Sequence, residues 1–304
     1  MAKASTLSPS ETQRVLVYGP PKSGKTQLVL QLAGHFNIIY IGMEAGHAPV
    51  FKLPLAWQER VEIINLPDTR SFPIAAETCL KIVKGGAHSI CEAHGKVNCM
   101  PCMKVGAPSV RVQLDASLPQ DTIVVWDSLT QLTNSFIAHI TQAMPDLYKL
   151  QTDDWGQLAV LVDLFLSNIQ GSKYHNICIS HEIEVEMVDG KNRIVPVSGS
   201  RNSSRNTAKY FDHVIYCNVS NGKHNFGSGT LYQNGIVTGS RTDVLLESMA
   251  TPSLLDIMTG KVKTQKGQTP GQVALGSLNA LAATLSAKAT DVVNNPLNAL
   301  KAKE

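Results

Sequence analysis

The stretch VLVYGPPKSGKTQLVLQL, Val15 to Leu32, decides the fold. An apolar, mostly β-branched run, Val15 to Tyr18, leads into a glycine turn, and leucines and valines then recur at helical spacing. Within it, Gly19-Pro20-Pro21-Lys22-Ser23-Gly24-Lys25-Thr26 fits the phosphate-loop pattern of a glycine, four residues, glycine, lysine and a hydroxyl residue. The glycines let backbone N–H groups turn inward around phosphate oxygens, and the helix start adds the positive end of its dipole. Lys25 is placed to neutralise β and γ oxygens, and Thr26 offers a hydroxyl to magnesium. A phosphate-gripping turn between strand and helix predicts an α/β fold with a mainly parallel sheet flanked by helices.

Working outward, the 304 residues suffice for one large core with small insertions and a tail. Hydrophobic residues make up 43% and charged residues 17%, the balance of an ordinary globular chain, and a net charge of +3 is too small to argue for nucleic acid by itself. No run approaches the length of a membrane span, and MAKASTLSPSETQR has too little apolar character for a signal peptide. A cytoplasmic protein without a membrane partner is therefore expected. Its six cysteines would be reduced, which favours a metal cluster over a disulfide framework.

Along the chain, the helix after the glycine turn is expected from about Thr26 to Ala33, with buried strands at Asn37 to Met43 and Val61 to Asn65. Gly85 to Pro108 has no strong periodicity and reads as an insertion. Asp121 to Leu132 is a strand ending at an aspartate and running into a helix start, and Asp154 to Gln170 is a helix capped by its aspartate. Asn176 to Ser180 is the next strand. IEVEMVDGKNRIVPV alternates on either side of Asp189-Gly190 and predicts a projecting hairpin with a tight turn. A core strand resumes at His213. These readings predict a core over 1–250, with the insertion at 85–108, then a linker and short helical tail over 251–304 that places Leu278, Leu281 and Leu285 on one face.

A magnesium nucleotide needs a second carboxylate, and Asp127 supplies it at the carboxyl end of a buried strand, where open α/β sheets place ligands. Hydrolysis also needs a base to orient water. Glu44 in YIGMEAG, just after the second strand and flanked by glycines, is the candidate.

The ordered set of phosphate loop, YIGMEAG, VVWDSLTQL, ICISHE and SRNTAKYFDHVIYC resembles the RecA-type recombinase and motor core, over roughly Val15 to Asn218. DSLTQL resembles the Asp-Ser helix start of RecA and RadA proteins more than the Asp-Glu of AAA+ ATPases. Without a separate DNA-binding domain, the chain is most similar to phage-encoded RecA-like single-strand annealing ATPases of the Sak group. That resemblance implies an ATP-dependent, single-stranded DNA-binding recombination or annealing protein, with ATP hydrolysis stimulated by DNA. It gives Glu44 the part of the residue that activates water and puts His181 where RecA proteins carry a glutamine that senses the γ-phosphate. Lys209, in NTAKYF, matches a segment whose lysine reaches the nucleotide of a neighbouring subunit. The implied partners are single-stranded DNA, further copies of the chain in a filament or ring, and a single-strand-binding protein or other replication partner. Alternative readings are a RecA-fold motor or loader acting on a protein, or a phosphate-loop small-molecule kinase.

Two other clusters stand out. Lys191, Arg193, Arg201, Arg205 and Lys209 lie between Gly190 and Phe211 without a carboxylate, in a stretch of small residues that reads as a flexible DNA-contacting loop. The preceding Glu182, Glu184 and Glu186 would repel phosphates, so that strand is expected to face a subunit interface or solvent. In HSICEAHGKVNCMPC, Cys91, His94, Cys99 and Cys102 have the spacing of a tetrahedral zinc site, with His88 as a competing ligand. Cys79, Cys178 and Cys217 lie in apolar runs and read as core.

Overall fold

Alternation along the first strand sends Val15 and Val17 to one face of a sheet and Leu16 and Tyr18 to the other, and both faces are covered. The computed structural model describes residues 12–44, 48–66, 68–145, 147–227, 235–240 and 254–259, all within the unit Met1–Val262. The helix expected around Leu278, Leu281 and Leu285 lies outside the described residues.

The chain begins with β1 (Arg14–Tyr18), α1 (Lys25–Leu30), β2 (Asn37–Gly42), α2 (Leu55–Gln58), β3 (Val61–Asn65) and α3 (Ile74–Ile82). An excursion follows, made of β4 (Gly86–Cys91), α4 (Met100–Lys104) and β5 (Ser109–Leu114). The core resumes with β6 (Thr122–Asp127), α5 (Leu129–Thr141), α6 (Thr152–Gly171) and β7 (His175–Ser180). After the hairpin β8 (Glu182–Glu186) and β9 (Asn192–Pro196) come α7 (Arg201–Asn206), β10 (His213–Ser220), β11 (Lys223–Gly227), β12 (Gly239–Ser240) and α8 (Leu255–Met258).

The main sheet runs β11-β10-β1-β7-β6-β2-β3, with β12 also beside β10. The six strands from β10 to the edge strand β3 are parallel, and β11 and β12 are antiparallel to β10. On one face α3, α5 and α6 pack over Leu16, Val124, Trp126 and Cys178, where Trp126 meets Phe165 edge to face at 5.0 Å. Asn176 accepts the Trp126 indole N–H at 2.9 Å, so the buried donor is satisfied. The other face is covered by α1 and α8, which bury Val15, Val17, Ile177 and Ile179. Cys79, Cys178 and Cys217 are core residues, as expected.

Several local expectations are corrected. The insertion is not irregular: β4 pairs antiparallel with β5 from Gly86↔Leu114 to Cys91↔Ser109, so it reaches beyond Pro108. The alternation Val110, Val112, Leu114 carried that signal, whereas Gly86-Ala87-His88-Ser89 offers little β preference. In α6 the cap is Gln151, and Asp154 sits at the third helical position, accepting from the Gln151 N–H at 2.7 Å in a reciprocal capping box. The hairpin turn spans Val188 to Gly190, one residue more than a two-residue turn, with Gly190 at φ 73° and its N–H bonded to Met187 O. Finally, Leu254, Ile257 and Met258 are buried against the α1-side core, past the expected boundary at 250.

Candidate functional site

Strand register assembles the site. Tyr18 lies beside both Tyr216 and Ser180, Asp127 beside Ile179, and Gly42 beside Asp127, so the loops leaving β1, β2, β6, β7 and β10 open along one edge of the sheet. That is the carboxyl edge, where sheets of this kind bind ligands.

The phosphate loop follows β1 directly. Gly19 has φ 150°, and a Cβ there would stand 2.0 Å from the carbonyl oxygen of Cys217, so only glycine lets the chain cross β10 this closely. Gly24 has φ 87° and caps α1, and Lys22 also lies in the left-handed region at φ 63°. Pro21 and Lys22 are exposed, Pro20 is half-buried, and Ser23 is buried, its N–H bonded to Pro20 O at 3.3 Å. The Lys25 ammonium is buried and donates to Gly19 O at 2.9 Å and Pro20 O at 2.8 Å, which leaves its third N–H for a phosphate oxygen. Burial pulls its pKa below the ordinary lysine range, against the pull of Cys217, Asp127 and Glu44.

Thr26 and Asp127 meet as expected of a magnesium pair. The Thr26 hydroxyl donates to Asp127 Oδ2 at 2.8 Å, and the Tyr40 hydroxyl donates to the same oxygen at 2.6 Å. Burial raises the Asp127 carboxyl above its usual range, while the Tyr40 and Thr26 hydroxyls lower it. One carboxylate and one hydroxyl beside a phosphate loop suit Mg2+, which keeps most of its oxygens from water and phosphate.

Glu44 and His181 are also brought together. Glu44 Oε1 accepts a short hydrogen bond from the Ser128 hydroxyl and lies 3.9 Å from His181 Nε2. Ser128 is itself the N-cap of α5, accepting the Gln131 N–H at 3.2 Å. His181 is held through its backbone N–H to Thr130 Oγ1 at 2.9 Å, and its buried Nδ1 has no hydrogen-bond partner.

Lys209 stands elsewhere. It precedes β10, whose first residues pair with the start of β1, so it lies at the sheet edge opposite its own phosphate loop. There its ammonium sits 4.6 Å from the Tyr210 ring, beside Asp163.

The cation-rich stretch is not a flexible loop. Lys191 is exposed at the hairpin, whereas Arg193 on β9 is tied to Asp189 at 2.8 Å. Arg201 is exposed at the start of α7, and Arg205 in its last turn donates to Asn202 Oδ1 at 2.9 Å. Small residues that suggested flexibility instead cap and pack: Ser200 accepts the Ser203 N–H at 3.2 Å, and Ser204 is buried. Glu182 is not a free acidic group either, since Tyr216 donates to it at 2.7 Å.

The cysteine cluster closes on one point. His94 Nδ1 lies 3.1 Å from Cys102 Sγ, 3.7 Å from Cys99 Sγ and 3.8 Å from Cys91 Sγ, and all four donor atoms fall within 4.8 Å of one another. Edges of a zinc-centred tetrahedron with metal–sulfur bonds near 2.3 Å are about 3.5 to 3.8 Å, so the donor set fits such an ion. Although burial raises the Cys91 thiol, hydrogen bonds from Lys96, His94, Cys102 and Cys99 bring it down to about 7. His88 is not a competitor, because its Nε2 faces Gly85 O at 3.0 Å.

One contact escaped the sequence reading. His224, on edge strand β11, places Nδ1 2.9 Å from Ser23 O, and a Cβ on Gly24 would meet that ring at 2.7 Å. Nothing in the spacing of His224, 201 residues from Ser23, signals it.

A glycine-rich loop at the end of β1, with lysine and threonine at its exit and an aspartate closing β6 two strands away, defines a P-loop ATPase core on a mainly parallel sheet. The chain belongs to the AAA domain family (AAA_24), whose model matches residues 11–242. The part of the RecA-type resemblance that this family match shows is the P-loop ATPase domain. Among solved structures, a KaiC-like protein from the hyperthermophilic archaeon Pyrococcus horikoshii OT3 is similar over 72% of this chain and 77% of its own, at 11% identity and a TM-score of 0.36. No curated protein matches the chain. Among the described residues, no helix is long and apolar enough to cross a membrane.

Proposed function

We propose that the protein hydrolyses ATP with Mg2+ and binds single-stranded DNA as a recombination or annealing protein resembling the Sak group, acting as a homo-oligomer, with zinc in the Cys91, His94, Cys99 and Cys102 cluster. Lys25 neutralises the β and γ phosphates, Thr26 and Asp127 hold magnesium, and Glu44 orients the attacking water. In the oligomer, Lys209 serves a neighbour's nucleotide. Its position at the edge opposite its own loop supports that division of labour.

The observation that carries the reading is the place of His181. Its ring faces Glu44, and its carbonyl accepts the Val197 N–H at 2.9 Å, between the hairpin and the segment that bears Arg201 and Arg205. A γ-phosphate that engages His181 therefore bears directly on the segment proposed to touch DNA, which is the differential contact a nucleotide switch requires.

The test is the affinity for a single-stranded oligonucleotide over a salt series, with and without a non-hydrolysable ATP analogue. Binding should depend on nucleotide. Replacing Arg201 and Arg205 together by alanine should weaken it and flatten the salt slope by roughly 1 to 2, since each single-strand phosphate contact contributes about 0.7. Absence of binding in either state would favour an ATPase that acts on a protein partner. The exposed Glu184 and Glu186 and the pairing of Arg193 with Asp189 support that second reading.

A further inference from the structure

The cysteine cluster is tied to the nucleotide site through a series of hydrogen bonds linked by helix α3 and the start of α5. Gly95, the residue after His94, gives its carbonyl to the buried Thr78 hydroxyl of α3 at 2.6 Å. At the start of α3, the Ala75 N–H donates to Asp68 Oδ1 at 3.1 Å and the Ala76 N–H to Ser135 Oγ at 2.9 Å, while Ser135 Oγ donates to Asp68 Oδ1 at 2.8 Å. Asp68 Oδ2 accepts from the Gln131 side chain at 3.2 Å. Gln131 N–H in turn bonds the Ser128 hydroxyl that is held by Glu44. Thr78, Ser128 and Ser135 are each 1% exposed, so water cannot replace a lost partner at any of these points.

We infer that the insertion is a control element of the nucleotide site: its metal fixes the turn at Gly95, that turn fixes α3 through Thr78, and α3 fixes through Asp68 the start of α5 that holds Glu44. This rests on the readings of zinc in the cluster and of Glu44 as the residue that orients water. The turn's own chain bonds are Gly95 N–H to Cys91 O at 2.8 Å and Cys91 N–H to Lys96 O at 3.1 Å. The cluster's four donor atoms lie within 4.8 Å of one another, and a bound zinc would lock them, and the turn with them, more rigidly than the thiol hydrogen bonds to His94 alone. The metal therefore determines where the Gly95 carbonyl points. Thr78 acts as a positioning residue, far from the reacting atoms.

The experiment uses the full chain and compares the parent, chelator-stripped protein, Thr78→Val and Thr78→Ser. It reads zinc content, hydrogen exchange at the start of α5, affinity for a fluorescent ATP analogue, and kcat. Thr78→Val should keep its zinc and its nucleotide affinity, exchange faster at the Gln131 amide, and lose roughly 2- to 30-fold in kcat, the range expected of couplings carried by packed networks. Stripped protein should change in the same direction and recover when zinc returns, whereas added zinc should not rescue Thr78→Val. Thr78→Ser, which keeps the hydroxyl, should match the parent. Unchanged exchange and kcat in zinc-loaded Thr78→Val overturns the control role and leaves the zinc reading standing, as does an equal loss in Thr78→Ser. Well-folded parent protein that contains no zinc as purified and takes up none when it is added overturns both.

Discussion

Thr26 and Asp127, 101 residues apart, are joined by a 2.8 Å hydrogen bond at the mouth of the phosphate loop, and Tyr40 donates to the same carboxylate oxygen. A carboxyl held by two hydroxyls yet buried between strands has conflicting demands placed on it. Its surroundings suit a metal ion more than they suit the folded chain alone.

Asp127→Asn should therefore separate stability from activity. Burial holds this carboxyl above its ordinary range, so between the ordinary aspartate pKa and the raised folded value the native state binds more protons than the unfolded one. Asp127's contribution to stability then falls as pH rises through that window. The asparagine variant should lose this slope and be at least as stable as the parent at neutral pH, while magnesium-dependent turnover drops by roughly 100-fold or more. Denaturant unfolding on the acid side of neutrality, alongside an ATPase assay, measures both; an unchanged pH slope would show that Asp127 does not carry it.

Lys25→Ala and Glu44→Gln should fail differently. Loss of the ammonium removes the charge that meets the β and γ phosphates, so nucleotide binding and hydrolysis both fall. Glu44→Gln keeps the shape and should keep nucleotide affinity while slowing hydrolysis by roughly 100-fold, the order contributed by a positioned base. Normal turnover in Glu44→Gln would give the role of base to another residue.

Protein purified without added metal should contain one zinc per chain. Because four protein ligands leave no open position, the ion serves structure. Elemental analysis checks this directly, and Cys102→Ser should release the metal and lower the melting temperature.

His224→Ala should weaken nucleotide binding by roughly 2- to 10-fold, the worth of one net hydrogen bond, by freeing the Ser23 carbonyl. His224→Asn, which retains a donor, should recover part of that loss. Titration of a fluorescent nucleotide against both variants decides the point, and equal affinities across the parent and the two variants would make His224 a bystander.

Much of the core was legible in local chemistry. A phosphate loop is one contiguous motif, Asp127 closes and Glu44 closely follows strands whose β-branched runs announce themselves, and the cluster from Cys91 to Cys102 is contiguous, from the end of β4 into α4. Period-two and helical patterns act over a few residues, so they survive reading in one dimension.

What only the tertiary structure decided are meetings between distant residues and the burial that follows from them. His224 reaches the phosphate loop because β11 pairs with β10, and Glu182, the first residue of β8, meets the Tyr216 hydroxyl of β10 across the fold. The serines and asparagines of 198–206 suggest flexibility in isolation, yet they cap and pack a helix once Thr133 accepts the Gly199 N–H at 2.8 Å. Asp68 shows no motif at all, and it ties α3 to α5 only because both helices pack on the same face of the sheet. Sequence spacing determines which side chains share a strand or helix face; strand order and register determine which of those faces touch, because pairing energy is gained only when the whole sheet forms.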